Sequence, residues 1–549
     1  MNLKNTKWPE QRLTNIKPWI RFSLACLFLN VVFNIQYPAP EASVFTLVQI
    51  SPEALGIVAA VSTAAWLGVP FHPTIYLPLT ACILFMRLFR IGEVLIPIYF
   101  FRPFNLYLDS QFLPDLIYLL YSTLSTGAFA FFAGLAVASI VGFTTVTWAA
   151  LRCIHLYLRA TRKRCFLAVM LVNGLLLLQI SPAGGFLRHS NIAAQSYFHR
   201  IIEEVDFILQ IKGYRARFQK DIDQAIEKSR RTNAALDKLD GANFYILFIE
   251  SYGHTLFADE RHFAKISPVL NTLAGDLEQR GFAMVSTFFN STTYGGASWL
   301  AHATLASGVH LNNQMRYNLL ITSKAKTIAH YFNQAGYRTV SVKPGTKWPW
   351  PEGEFFGFHK KYYAWHFNYQ GPPHGWSSMP DQYVLDYIYR REIKHGQKPL
   401  FIEFALISSH APFNGLPPFV ADWSQIGDGA VFHELETIYF PVNWHNLTDA
   451  SDAYVAAIIY ELRVIGDFIK QFVDDNALVL ILGDHQPVVQ ITGANQPWSV
   501  PVHVICRNRD FVKLFEQRGF TPGLIPRQIS PHAGMETFLY NFLKDFSSP

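Results

Sequence analysis

Ala477-Leu478-Val479-Leu480-Ile481-Leu482-Gly483-Asp484-His485 is an unbroken apolar run that passes, through one glycine, into an aspartate and a histidine. A short aliphatic run bounded by a turn residue is the pattern of a buried strand, here expected in a mixed sheet flanked by helices. Phe248-Ile249-Glu250-Ser251 repeats the pattern with a glutamate at its end, and Gly295-Gly296-Ala297-Ser298 brings a hydroxyl to the start of an amphipathic stretch. Polar groups just beyond the carboxyl ends of strands are where sheets of this kind collect ligands.

From residue 243 onward, short apolar runs alternate with amphipathic stretches, which predicts an α/β domain with helices on both faces of the sheet. Strands are expected at 243–249, 282–288, 337–343, 400–407, 477–482 and 501–506, and helices at 267–279, 298–306, 324–334, 381–393 and 453–472. Glu250, His410 and the Asp484-His485 pair each follow a strand end. There is no internal repeat and no low-complexity tract.

The region before residue 183 is different in kind. Half of the 549 residues are apolar, the mean hydropathy is positive, and the excess lies in five runs at 19–37, 54–69, 75–100, 126–151 and 166–180. These predict a five-helix transmembrane domain over 1–182, followed by an amphipathic connector over 183–242 and an exported domain over 243–549. A cleaved signal peptide is the rival reading of the first run. Lys4, Lys7, Arg12, Lys17 and Arg21 precede the first span, and Arg152, Arg159, Arg162, Lys163 and Arg164 fill the loop after the fourth. With five spans both clusters fall on one side, which the positive-inside rule makes cytoplasmic, and the C-terminal domain is then outside. Of five cysteines only Cys506 lies in that domain, so it cannot rely on internal disulfides. The connector reads either as a helix on the membrane surface or as a solvated helix packed on the domain.

Glu250, Asp484 and His485 supply two carboxylates and one imidazole, a set suited to Zn²⁺ or Mn²⁺ with a further position left for a reacting oxygen. An aspartate after a strand is also a common turn or cap residue, and it is the glutamate at an independent strand end that favours the metal. Ser298 opens the 298–306 helix, where a serine serves either as an N-cap or as a hydroxyl that a metal and the helix dipole activate. Thr292 and Thr293 compete with it for the nucleophile's role. Together these segments read as one metal-centred phosphate or sulfate ester site.

In these segments the chain resembles the sulfatase-like branch of the alkaline phosphatase superfamily, and more narrowly its membrane-anchored lipoteichoic acid synthases, phosphoglycerol transferases and phosphoethanolamine transferases. Glu250, Ser298, Asp484 and His485 fall in that group's metal and nucleophile segments in order, and five spans before an exported domain is its layout. His410, in Ile407-Ser408-Ser409-His410-Ala411-Pro412, matches its substrate-phosphate histidine; its plainer role is to cap the loop before Pro412. Ser298 stands ten residues before Gly308, the spacing of the sulfatase nucleophile, but Leu300 and His302 replace the proline and arginine needed to make formylglycine. The resemblance therefore implies phosphoryl transfer through an unmodified serine: a phospholipid head group passes to Ser298 and then to a glycan or glycolipid acceptor. The enzyme would be multi-pass in a bacterial cytoplasmic (inner) membrane, with its active domain on the periplasmic side. A membrane-bound phosphodiesterase or sulfatase is the alternative. The lipid A phosphoethanolamine transferases use threonine and disulfides, which this chain lacks, and the head group stays open.

Further candidates for substrate binding are Lys343 and Lys347 after another strand end, with Trp348 and Trp350 beside them. His302 lies one turn beyond Ser298, and His503 lies on the 501–506 strand, where a satisfied core histidine is the commoner case. Asp381 reads as a helix cap. Asn105, in the loop after the third span, is placed to meet a lipid head group, while Arg87, Arg90 and Glu93 interrupt that span and read as groups near the bilayer surface. A membrane phospholipid donor and a glycan or glycolipid acceptor are the expected partners, and no nucleic acid.

Overall fold

The computed structural model describes residues 17–548 apart from 36–48, 101, 162–169, 171–173, 175–193, 195, 197, 348, 441–446, 494 and 528–530. Two compact units divide the chain: residues 1–97 with 102–210, and residues 98–101 with 211–549.

The first unit is helical. Pro18–Asn34, Pro52–Trp66, Pro73–Phe100 and Thr126–Ala160 follow four of the five apolar runs. Leu29, Val61, Ile83, Leu151 and Ile154 are buried at their common centre, while Leu24, Leu77, Phe131 and Val137 face outward. Among the described residues one helix, Thr126–Ala160, is long and apolar enough to cross a membrane, and Pro18–Asn34 is a shorter apolar helix. The fifth expected run, 166–180, lies almost wholly outside the described residues. Asn105 caps the Leu106–Asp109 turn by accepting from Leu108 N at 2.9 Å. Asp109 accepts from Asn105 N at 2.8 Å and pairs with Arg102. Asn105 is thus engaged in closing its own loop.

The second unit is built on a nine-stranded mixed sheet. We number its strands β1 (Phe244–Ile249), β2 (Ala283–Asn290), β3 (Arg338–Lys343), β4 (Lys360–Tyr363), β5 (Leu400–Leu406), β6 (Leu478–Gly483), β7 (Ser499–Cys506), β8 (Thr521–Pro522) and β9 (Ala533–Gly534). Their order is β8-β2-β7-β6-β1-β5-β3-β4, with β9 on β2. The run β6-β1-β5-β3-β4 is parallel throughout, and β7 is antiparallel to both β6 and β2. The loops after β1, β2, β3, β5 and β6 therefore open on one edge.

Period-two geometry explains the apolar runs. In β1, Tyr245, Leu247 and Ile249 enter one core, while Phe244, Ile246 and Phe248 enter the core on the opposite face. In β6, Val479 and Ile481 join the first, and Leu478, Leu480 and Leu482 join the second. Each large apolar side chain buried this way contributes roughly 1.5–3 kcal/mol.

The six expected strands all form within two residues of their expected limits. The Glu260–Gln279 helix begins earlier than the expected 267, because the Asp259 side chain caps it and Pro268 lies inside it. The 381–393 stretch forms the Asp381–Ile388 helix and then a wider turn over Tyr389–Ile393. The connector is the Phe198–Arg231 helix. Its second half packs on the sheet domain, with Ile222 and Ala225 buried and Ala225 O accepting from the Tyr540 hydroxyl at 2.8 Å. Cys506 is buried and free.

Candidate active site

β1 and β6 are neighbours in register, Ile249 opposite Gly483, so Glu250 and Asp484 leave the sheet side by side. Gly483 permits this approach: a Cβ there would lie 1.9 Å from the Tyr252 carbonyl oxygen. The chain turns at Ser251, whose φ is 62°. Asp484 Oδ1 accepts from Ser251 N at 2.8 Å and from His485 N at 2.7 Å, so both turns close on one carboxylate oxygen.

The other oxygen, Asp484 Oδ2, is buried with no hydrogen-bond partner. Beside it His485 donates from Nδ1 to Gln486 O at 2.8 Å, which orients the ring and turns Nε2 toward the carboxylates. Nε2 lies 3.1 Å from Glu250 Oε1 and 3.6 Å from Asp484 Oδ2. One ligand atom from each of Glu250, Asp484 and His485 falls within a 4.8 Å span, and all three residues are buried. Leaving an oxygen of this kind unpartnered costs about 1–3 kcal/mol, more for a charged group. A divalent cation would satisfy it and balance two carboxylates, so the residues fit a metal.

The electrostatics agree. Burial raises the pKa of Asp484 and Glu250 raises it further, to about 7. Burial works against a charge on His485 too, but the two carboxylates outweigh it and hold that imidazolium up to about 9. Glu250 is held well below the carboxylate range because its contact with His485 overcomes burial. The site draws positive charge, and in the absence of a metal a proton on His485 provides it.

Ser298 completes the constellation. Its Oγ donates to Glu250 Oε2 at 3.0 Å and lies 3.1 Å from His485 Nε2. It is the first residue of the Ser298–Ser307 helix; the N-cap is Ala297, held at φ 62° and offering no side-chain cap. The hydroxyl is thus not consumed in capping, and it sits where the helix dipole favours negative charge. The spacing to Gly308 is the length of this helix, which Gly308 ends in the left-handed conformation, its hydrogen filling a place where a Cβ would strike Tyr540 at 2.5 Å. Of the rival hydroxyls, Thr292 faces Thr304 at 3.3 Å and Thr293 Oγ1 is buried without a partner; neither contacts the ligand atoms as Ser298 does.

His410 joins from the loop after β5. Ser409 Oγ donates to Glu250 O at 2.7 Å, and the charge of His410 helps to hold Glu250 ionised. His410 Nδ1 donates to Ala411 O at 2.6 Å, and its ring stacks on Trp376 with centroids 3.8 Å apart. The Lys347 ammonium lies 5.7 Å from the centre of the Trp376 ring. His302 is buried against Phe248, with Nε2 unpartnered and 4.0 Å from Asp484 Oδ2.

Three of the substrate-binding candidates have partners of their own within the protein. Lys343 is tied to the buried Glu403 at 3.1 Å. Trp350 packs on Phe356 beside the second core, and a hydrophobic partner explains it. His503 is fully enclosed in the sheet. Ser286 Oγ donates to Gly523 O at 2.6 Å and so accepts from His503 Nδ1 at 2.7 Å, while the Tyr252 hydroxyl, 2.9 Å from Nε2, donates to it. Both ring nitrogens are used, and burial lowers the pKa of His503 to about 3. Trp348 lies outside the described residues.

Sequence reading missed the supports. Tyr454 donates to Ser251 O at 2.9 Å, and Asp381 Oδ2 accepts from Ile407 N at 2.8 Å and Ser408 N at 2.5 Å. The Ser-Ser step before His410 was their only local signal.

The sulfatase family model matches residues 276–502, a stretch that includes Ser298, His410, Asp484 and His485. Over these residues the chain is similar to the sulfatase family. Glu250 lies upstream of the matched stretch, and its place in the site comes from β1. No curated protein sequence matches this chain significantly. Similar solved structures include the lipoteichoic acid synthase LtaP from Listeria monocytogenes, 15% identical over 55% of this chain and 76% of that one, with a TM-score of 0.36. The C-terminal periplasmic domain of EptC from Escherichia coli is 14% identical over 54% and 80%, with a TM-score of 0.36. The phosphoglycerol transferase GacH from Streptococcus pyogenes is 13% identical over 61% and 91%, with a TM-score of 0.33.

Proposed function

We propose that this protein is a membrane-anchored phosphotransferase that moves a phospholipid head group, phosphoglycerol or phosphoethanolamine, through a phosphoserine at Ser298 to a cell-envelope glycan or glycolipid. The observation that carries this reading is the position of Ser298 Oγ, at a helix N-terminus and 3.0 Å from Glu250 Oε2 and 3.1 Å from His485 Nε2. Glu250, Asp484, His485 and Ser298 would hold one Zn²⁺ or Mn²⁺. When bound, the metal supplies Lewis acidity to a phosphoryl oxygen and favours the ionised serine.

The residues do the rest. Ser298 Oγ attacks phosphorus and the diacylglycerol oxygen leaves; an acceptor hydroxyl then attacks the phosphoserine and the serine oxygen leaves. Glu250, already accepting the Ser298 proton, orients the hydroxyl for the first step. His410, fixed through Nδ1 and by Trp376, presents Nε2 to the phosphoryl oxygen or the leaving oxygen, a contribution of about 10²–10⁴-fold for a positioned acid. Leu300 and His302, standing where formylglycine formation needs other residues, favour phosphoryl transfer over sulfate-ester cleavage. The apolar helices of the first unit would hold the protein in a bacterial inner membrane as a multi-pass anchor, near its lipid donor.

The test is diacylglycerol release by the detergent-solubilised protein from phosphatidylglycerol and from phosphatidylethanolamine, with Ser298→Ala alongside. Release from one lipid that the variant loses supports the transferase and names the head group. No release from either lipid, together with turnover of soluble phosphate or sulfate esters, replaces it with the hydrolase reading.

A further inference from the structure

The Leu447–Phe472 helix presents two polar residues, Tyr454 and Glu461, seven positions apart and so on one face. Tyr454 supports the turn after β1: it donates to Ser251 O at 2.9 Å and accepts from Gly253 N at 3.3 Å. Glu461 is 0% exposed and faces Asp381, also 0% exposed, at the start of the Asp381–Ile388 helix. Asp381 Oδ1 and both Glu461 carboxyl oxygens lack a well-formed hydrogen bond, although Glu461 also lies against the Ser408 and Ser409 N–H groups, and no cation is paired with either residue among the described residues. Two carboxyls enclosed together cannot both ionise, so they share one proton. Burial, and then Asp381 beside it, raise Glu461 far above the usual carboxyl range. Glu461 therefore carries the proton and donates it to Asp381.

Asp381 passes this arrangement to the loop that carries His410. Its Oδ2 accepts from Ile407 N and Ser408 N at 2.8 and 2.5 Å, and its own N–H donates to Ser408 Oγ at 3.0 Å. The loop is fastened at its other side by Ser409 Oγ on Glu250 O at 2.7 Å. The 407–410 turn thus spans a buried acid pair and a candidate metal ligand.

We propose that Asp381 and Glu461 are positioning residues that set the direction in which His410 meets the phosphoryl group. The idea rests on the role given to His410 above. Glu461 keeps Asp381 from carrying an unshared buried charge, and Asp381 fixes the two backbone N–H groups before His410. A side chain at 461 that cannot donate leaves the Asp381 carboxylate to draw in water or shift, and the His410 ring turns with the loop.

The experiment uses the full chain in detergent, loaded with Zn²⁺, and measures kcat and KM for diacylglycerol release from mixed phosphatidylglycerol and phosphatidylethanolamine micelles. If the wild type releases none, bis(4-nitrophenyl) phosphate hydrolysis replaces that assay, which separates failure of the lipid reading from failure of the acid pair. Glu461→Leu and His410→Ala are each expected to lower kcat by about 10- to 100-fold with zinc content unchanged. The double variant is expected to be no worse than His410→Ala, because both act through one group. Glu461→Gln, whose amide can donate to Asp381, should restore kcat to within about threefold. If Glu461→Leu does not fold, Asp381→Asn serves in the same cycle with His410→Ala. Losses that multiply in the double variant, or an unchanged kcat in the Glu461 and Asp381 variants beside an impaired His410→Ala, would overturn the proposal. An unchanged kcat in His410→Ala beside a dead Ser298→Ala would instead remove the role of His410, and the proposal with it.

Discussion

Two buried histidines, His485 and His503, lie on neighbouring segments of one sheet yet belong to opposite kinds of environment. Around His503 the hydrogen bonds close: Tyr252, Ser286 and Gly523 O use every donor and acceptor in turn. Around His485 they do not, since Asp484 Oδ2 has no partner and Ser298 Oγ leans on two ligand atoms. Burial alone therefore does not mark a functional histidine. The mark is a set of buried polar atoms that the protein itself leaves open, because such atoms are destabilising unless something else binds them.

The comparison predicts separable losses. The largest is in the open set: Ser298→Ala should reduce turnover by about 10³-fold or more with little change in melting temperature, because the hydroxyl stabilises no cap. Retention of turnover within about tenfold would reassign the nucleophile, with Thr292 next in line. In the closed set the loss should be of stability: His503→Phe strands the Tyr252 hydroxyl and should cost about 1–3 kcal/mol in denaturant unfolding, with turnover of the folded fraction within about threefold. A collapse of turnover at unchanged stability would return His503 to the site.

The smallest effect sharpens the comparison through pH. In the metal-free protein His485 binds its proton more tightly than the unfolded chain does, up to about 9 against 6.5, and Asp484 does so up to about 7 against 3.8. Groups with raised folded pKa values contribute stability at low pH that is lost as pH rises through the folded value. The depressed Glu250 acts in the opposite sense only below its unfolded value of 4.5, outside this window. The chelated protein should therefore melt a few degrees lower at pH 9 than at pH 6.5, and added Zn²⁺ should reduce the difference by replacing the proton. The opposite slope after chelation would show that the open set is not organised around positive charge.

Much of this was legible in the residues. The buried runs ending in Glu250 and Gly483-Asp484-His485 located β1 and β6, because parallel strands covered on both faces have no polar alternation to blur them. The Gly295-Gly296 turn and the run that follows it put Ser298 at the head of a helix. The β4 strand at Lys360–Tyr363 and the early start of the Glu260–Gln279 helix were missed, since a short polar edge strand resembles a loop and Pro268 resembles a first-turn proline. Lys343 and Glu403 carry no sequence sign that they meet, and the acid pair at Asp381 and Glu461 depends on a helix eighty residues away in the chain.

The most direct test is metal content. Wild-type protein and Asp484→Asn, both dialysed to equilibrium against micromolar Zn²⁺ or Mn²⁺ at pH 8, are compared by elemental analysis alongside their far-ultraviolet circular dichroism. One equivalent of metal in the wild type and almost none in a folded variant is the predicted result. A folded variant that retains its metal, or a wild type that takes up none, would contradict the assignment of the open carboxylate, imidazole and hydroxyl set as a metal centre.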